Sequence, residues 1–198
     1  MADLLKKLNS NYHYSPIAYH DSWISVDPII GCQLNCQYCY MQMTSWTGVK
    51  PQNVYSITQI VDMLVNNKYF TPHKTVLSFG NQTDAFLHDN IPYTLEFFKL
   101  LENCKLRNPV TVVTKKLIPE YFIDQICSLK YVRAIFCLTY SGLPKSVEKG
   151  VDPDENCKNF KNLSEKGIRI IHFWRPLIEV NGTAEILENV SNKTWQLS

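Results

Sequence analysis

The sequence predicts an α/β fold, a parallel sheet wound as a partial (β/α) barrel of about five to six units. Three observations carry this. Short apolar, β-branched segments alternate along the chain with segments of helical period. Five such strand segments are each followed by a helical one or by a loop leading to it. The chain has 198 residues, short of the roughly 250 that a full eight-unit barrel takes. An N-terminal extension is expected over 1–21 and the partial barrel over 22–198.

The first strand is read over 23–30 and leads into a cysteine-rich loop. Ser56 is placed to cap a helix over 57–67, in which Ile57, Ile60, Val61, Leu64 and Val65 share a face. A short apolar strand over 75–79 ends at Gly80. Leu95, Phe98 and Leu101 form the stripe of a helix over 92–103. β-Branched residues mark the third strand, 110–114. Pro119 suits the first turn of the next helix, whose apolar face is Phe122, Ile123, Ile126 and Leu129. A fourth strand follows over 132–139. A weaker helix over 156–166 carries Phe160 and Leu163, with Gly167 as its stop. The fifth strand covers 168–174, and a short last helix after Thr183 uses Ile186, Leu187 and Val190. Strands joined through helices run parallel with right-handed crossovers. The second to fifth strands read as largely apolar runs, which predicts burial on both faces. The extension, with Tyr12, His13, Tyr14 and Tyr19, is expected to pack on the barrel.

Hydrophobic residues make up 45% of the chain and charged ones 19%, which excludes a disordered chain. A net charge of +2 neither demands nor excludes nucleic acid, and a dedicated DNA binder usually carries a more basic stripe. The first ten residues hold Lys6 and Lys7 but no apolar export core. No apolar stretch reaches the roughly 18–20 residues of a membrane helix. A cytoplasmic protein without a membrane partner is therefore expected. There are seven cysteines, three clustered and four scattered (Cys104, Cys127, Cys137 and Cys157). In a reducing compartment a tight cluster points to a metal or redox centre rather than to disulfides. The scattered four are read as ordinary thiols.

The cluster is Cys32, Cys36 and Cys39, spaced C-x₃-C-x₂-C. Three thiolates this close can converge on one soft metal centre. A structural zinc site completes four ligands, yet the closest histidines, His20 and His73, form no paired motif. A [4Fe–4S] cluster also takes four ligands, so three cysteines leave one iron open to an external one. The loop follows the first strand, and ligand sites in such folds gather at the carboxyl ends of strands. The alternative is a zinc or purely structural site.

This pattern resembles the radical SAM superfamily, with an aromatic Tyr38 before the last cysteine, over about 11–181. The resemblance implies that S-adenosylmethionine (SAM) chelates the open iron. It also implies that an electron from the cluster, fed by an external donor, cleaves SAM to a 5′-deoxyadenosyl radical. That radical takes hydrogen from the substrate. Tyr38 would flank the adenine.

The flanking residues are similar to the spore photoproduct lyase-like branch: Ser22-Trp23-Ile24, Tyr38-Cys39-Tyr40, the segment 80–84, Thr114-Lys115-Lys116, the segment 139–141 and Arg175-Pro176-Leu177. By that resemblance Gly80 and Asn81 are candidates for the SAM amino group, although the common Gly-Gly-Glu form is absent. Gly80 also permits close backbone approach. Lys115 suits a charge-assisted bond to the SAM carboxylate, the alternative being a solvated surface lysine. Ser141 is a candidate for ribose or carboxylate, against a turn role before Gly142. Arg175 is the last candidate, against a structural pair with Glu179.

Two departures bear on the substrate. Photoproduct-repair enzymes of that branch carry a hydrogen-donating cysteine after the second strand. Here Asn81 falls at or near that place, and no cysteine lies between Cys39 and Cys104. Cys137 is the substitute within the barrel, but its apolar neighbours favour core packing. Superfamily barrels usually have six units and five are counted here, so the chain is either a short member or lacks a terminal portion. A short barrel is open at its side, which suits a bulky peptide, protein or nucleic-acid substrate or a covering partner subunit. The competing readings are a non-catalytic iron–sulfur protein for electron transfer or sensing and a zinc-stabilised nucleic-acid binding module.

Overall fold

The computed structural model describes residues 14–197; Tyr12 and His13 of the expected extension lie outside them. The strands are β1 (Ile17–His20), β2 (Trp23–Val26), β3 (Ile29–Ile30), β4 (Gln52–Asn53), β5 (Val76–Phe79), β6 (Pro109–Thr114), β7 (Arg133–Leu138) and β8 (Arg169–His172). The helices are α1 (Ile57–Val65), α2 (Ile91–Asn103), α3 (Glu120–Cys127), α4 (Pro153–Ser164) and α5 (Ala184–Gln196). The main sheet has the order β1-β2-β5-β6-β7-β8. Within it β2, β5, β6, β7 and β8 run parallel, and β1 is an antiparallel edge. The fold is thus α/β with a mostly parallel, open sheet; β1 and β8 do not pair with each other.

Capping sets the helix starts. Ser56 Oγ accepts from Gln59 N at 3.2 Å, and Gln59 Oε1 accepts from Ser56 N at 3.0 Å, a reciprocal capping box that opens α1. Asp152 Oδ1 accepts from Asp154 N and Glu155 N at 3.1 Å, with Pro153 at the first position of α4. Thr183 caps α5, which runs for thirteen residues and is not the short helix expected. Pro119 precedes α3 as its N-cap, with extended backbone.

Two strand expectations are corrected. The run 23–30 is not one strand. Pro28 has no N–H for a ladder, so β2 stops at Val26 and the chain turns at Asp27. β3 then leaves the main sheet to pair antiparallel with β4. Nor are the strands buried on both faces. β6 alternates buried and half-buried along its whole length, and β5 does the same. One face carries Ile24, Val26, Leu77, Phe79, Val110, Val112, Phe136 and Leu138, all at 0–1% exposure. Helix side chains close over it: Phe97 stacks on Phe79 at 4.6 Å, and Phe98 and Phe122 meet Phe136 at about 6.4 Å. The other face carries Ser78, Thr111 and Val113, which stay half open. Residues 17–20, inside the expected extension, add the edge strand β1 to this sheet.

Candidate functional site

The cysteine loop leaves β3 through Gly31, whose φ of +94° favours glycine. A β-carbon there would meet Lys50 O and Val49 Cγ2 at 3.1 Å. Backbone bonds then hold the loop from two sides. Cys32 N donates to Trp46 O at 2.8 Å and Gly48 N to Cys32 O at 2.7 Å. On the far side Gln37 N donates to Val147 O at 3.0 Å and Gly150 N to Leu34 O at 2.9 Å. Ile30, Leu34, Met41, Trp46, Leu87 and Val151 form a small apolar core beneath it. A 3₁₀ turn over Tyr40–Thr44 follows Cys39.

Cys32 and Cys36 are buried and Cys39 is half-buried. Burial pushes the Cys32 thiol up to about 12 and the Cys36 thiol to about 11. Cys39 is raised for the same reason. All seven cysteines are free. Among the described residues no three His, Cys, Asp or Glu side chains are gathered as around a single metal ion. The donor set itself is three thiols in one wall of one cavity, which fits a soft, multinuclear iron–sulfur centre better than a lone hard cation.

Three buried carboxylates fix the loops that face the cysteines. Asp27 accepts from Asn81 N at 2.5 Å and from Gln82 N at 3.2 Å, tying the loop after β5 to the end of β2. Its burial pushes the carboxyl up to about 6 against those hydrogen bonds. Asp84 accepts from Phe86 N at 2.9 Å, Thr114 Oγ1 at 2.8 Å and Lys115 N at 2.8 Å, joining the loops after β5 and β6. Burial raises its pKa as well, with those bonds opposing. Glu148 accepts from Lys115 Nζ at 2.8 Å, from Ser141 Oγ at 2.8 Å and from the Tyr38 hydroxyl.

Between the cysteine loop and the strand ends lies an open cavity of about 980 Å³. Its floor is the open face of the sheet, with Ser78, Thr111, Val113 and Cys137, and its rim includes Lys115 and Arg175. Thr139 lines it too; it is 1% exposed, and its Oγ1 has no hydrogen-bond partner.

Tyr38, Gly80, Asn81, Lys115 and Arg175 all line the cavity with Cys32, Cys36 and Cys39. Gly80 has φ +79°. Asn81 is held by Ser78 Oγ, which donates to its Oδ1 at 2.7 Å. Lys115 is not a solvated surface lysine: its side chain is 14% exposed and paired with Glu148. Ser141 is buried behind the wall and bonds Glu148, and Leu143 N donates to its Oγ at 3.2 Å, so it does hold the turn. Arg175 is exposed; its guanidinium lies 5.1 Å from the centre of the Phe173 ring and forms no ion pair with Glu179 among the described residues. Cys137 is buried yet lies in the cavity wall, so core packing describes only part of it. Asp27 and Glu148 were not foreseen, and Asp84 was noted only as the end of the segment 80–84, without a role. Asp27 alone carries a signal in the sequence, a single carboxylate inside the apolar run 24–30.

No protein-family model matches the chain, and no curated protein matches it. Solved structures do. Spore photoproduct lyase complexed with dinucleoside spore photoproduct superimposes with a TM-score of 0.60 at 14% identity, over 96% of this chain and 54% of that one. The chain thus shares the fold of spore photoproduct lyase. SuiB from Streptococcus suis, bound to S-adenosylmethionine, shares it with a TM-score of 0.54 at 14% identity, over 86% of this chain and 38% of that one. SuiB bound to its precursor peptide SuiA gives 0.54 at 15% identity, over 86% and 36%. The chain therefore spans about two-fifths to one-half of the length of these structures. No helix among the described residues is long and apolar enough to cross a membrane.

Proposed function

We propose that this chain is a radical SAM enzyme whose open sheet serves as a partial barrel. Cys32, Cys36 and Cys39 would hold a [4Fe–4S] cluster. The carrying observation is that these three thiols line one cavity with Tyr38 and with Gly80, Asn81, Lys115 and Arg175, which follow the carboxyl ends of parallel strands. When bound, the cluster would supply the electron that cleaves the sulfur–carbon bond of SAM. The chain's own residues bind and orient. Lys115 presents an ammonium to a carboxylate, and Gly80 and Asn81 line the same cavity. The Tyr38 ring bounds the pocket on the cysteine side. The apolar bed under the loop keeps water from the buried thiols.

The open face of the sheet supports a bulky substrate, with peptide, protein and nucleic acid as the classes. An external electron donor is required, and a covering partner subunit would suit the open side. A cytoplasmic setting keeps the three thiols reduced. The reading is tested by anaerobic reconstitution with iron and sulfide. Wild-type chain should take up both and show a shift in the cluster spectrum on adding SAM; a protein that loads zinc and no labile sulfide contradicts it.

A further inference from the structure

Glu148 lies ten residues beyond the end of β7, in the turn over 144–151, and its side chain is 5% exposed. A carboxyl group so buried needs donors for its oxygens. Here Oε1 takes the Lys115 ammonium and the Tyr38 hydroxyl, and Oε2 takes the Ser141 hydroxyl. Its backbone bridges to Cys36, and its neighbours Val147 and Gly150 bond Gln37 and Leu34. The turn cannot drift from the cysteine loop. A β-carbon on Gly150 would sit 2.6 Å from Leu34 Cα. Glu148 is thus fixed relative to the three cysteines and fixes the lysine in turn.

An ammonium has three donors. Lys115 gives one to Glu148 Oε1 at 2.8 Å and one to Arg175 O at 3.3 Å. Its Nζ also lies 5.5 Å from the centre of the Tyr38 ring, and the side chain lines the cavity. A free lysine stem is flexible and costs entropy to order; one held by these contacts is already placed at the cavity. We propose that Glu148 is a positioning residue that, acting through Lys115, sets the site for the carboxylate of a SAM-type ligand at a fixed place relative to the cysteine loop. This rests on the radical SAM reading above. It assigns a role to a residue outside the cysteine motif and the strand ends.

The test compares reconstituted wild type, Glu148→Gln, Lys115→Ala and the double variant, measuring iron per chain and SAM affinity by equilibrium dialysis. Glutamine keeps the volume but puts a neutral amide where the carboxyl group holds the Lys115 ammonium, which weakens that hold. Glu148→Gln should weaken SAM binding by about ten-fold with iron content unchanged. In the Lys115→Ala background the same change should cost less than about two-fold, because the path through the lysine is gone. Unchanged or tighter SAM binding by Glu148→Gln, additive losses in the double variant, or a fall in iron that accounts for the loss would each overturn the proposal alone. A cluster-loaded wild type that binds no SAM overturns the reading beneath it as well.

Discussion

On one side of the sheet Leu77, Phe79, Val110, Val112, Phe136 and Leu138 are shut under helices. On the other, the same strands present Ser78, Thr111, Val113 and Cys137 to a cavity. The period of two along a strand makes this division possible, since neighbouring residues serve opposite faces. The helix-covered face is held by apolar area and by stacked phenyl rings. The cavity side is held by three buried carboxyl groups: Asp27 and Asp84 each join two chain segments, and Glu148 joins its turn to three others. Stability and function therefore rest on different residues of the same strands, and substitutions should separate them.

The largest separation is expected at the cysteines. Cys36→Ala should abolish iron uptake on reconstitution, whereas Cys104→Ala, at an exposed position, should keep it; iron and sulfide analysis of both proteins checks this. On the covered face Phe136→Ala should cost about 3–5 kcal/mol, read from urea unfolding, because it empties a ring-filled core.

Asp27 sharpens the comparison through pH. Its carboxyl is raised from 3.8 to about 6 in the folded chain. The folded state thus holds the proton more tightly than the unfolded one. Its contribution is full below the unfolded value and is lost as pH rises through about 6. The loss amounts to about 3 kcal/mol. Asp27→Asn, which keeps an acceptor for Asn81 N, should flatten the fall in stability between about pH 4 and pH 6 in unfolding curves. The smallest effect belongs to the open face. Val113→Thr should change stability by less than about 1 kcal/mol. A loss there as large as that of Phe136→Ala would break the contrast between the faces.

Much of the fold was legible because local rules wrote it. Ser56 and Thr183 mark helix starts by chemistry that spans three residues, whereas α4 starts at Pro153 behind the Asp152 cap, three residues before the expected 156. The three cysteines declare themselves by spacing. The alternation within β6 is also present in Pro109–Thr114, but Thr111 among valines reads as part of an apolar run, and only the helices over one face reveal the difference. Glu148 and Asp84 were not legible because their partners are remote. Glu148 meets Tyr38 across 110 positions and Lys115 across 33, and Asp84 meets Lys115 across 31. No local pattern marks an acidic residue in a turn as the centre of such a network.

The central claim joins the cysteine loop and the cavity in one reaction. It is tested most directly by incubating the reconstituted chain anaerobically with SAM and dithionite and measuring 5′-deoxyadenosine. The account predicts its formation by wild type and its absence with Cys36→Ala. A cluster-loaded wild type that forms none would contradict it.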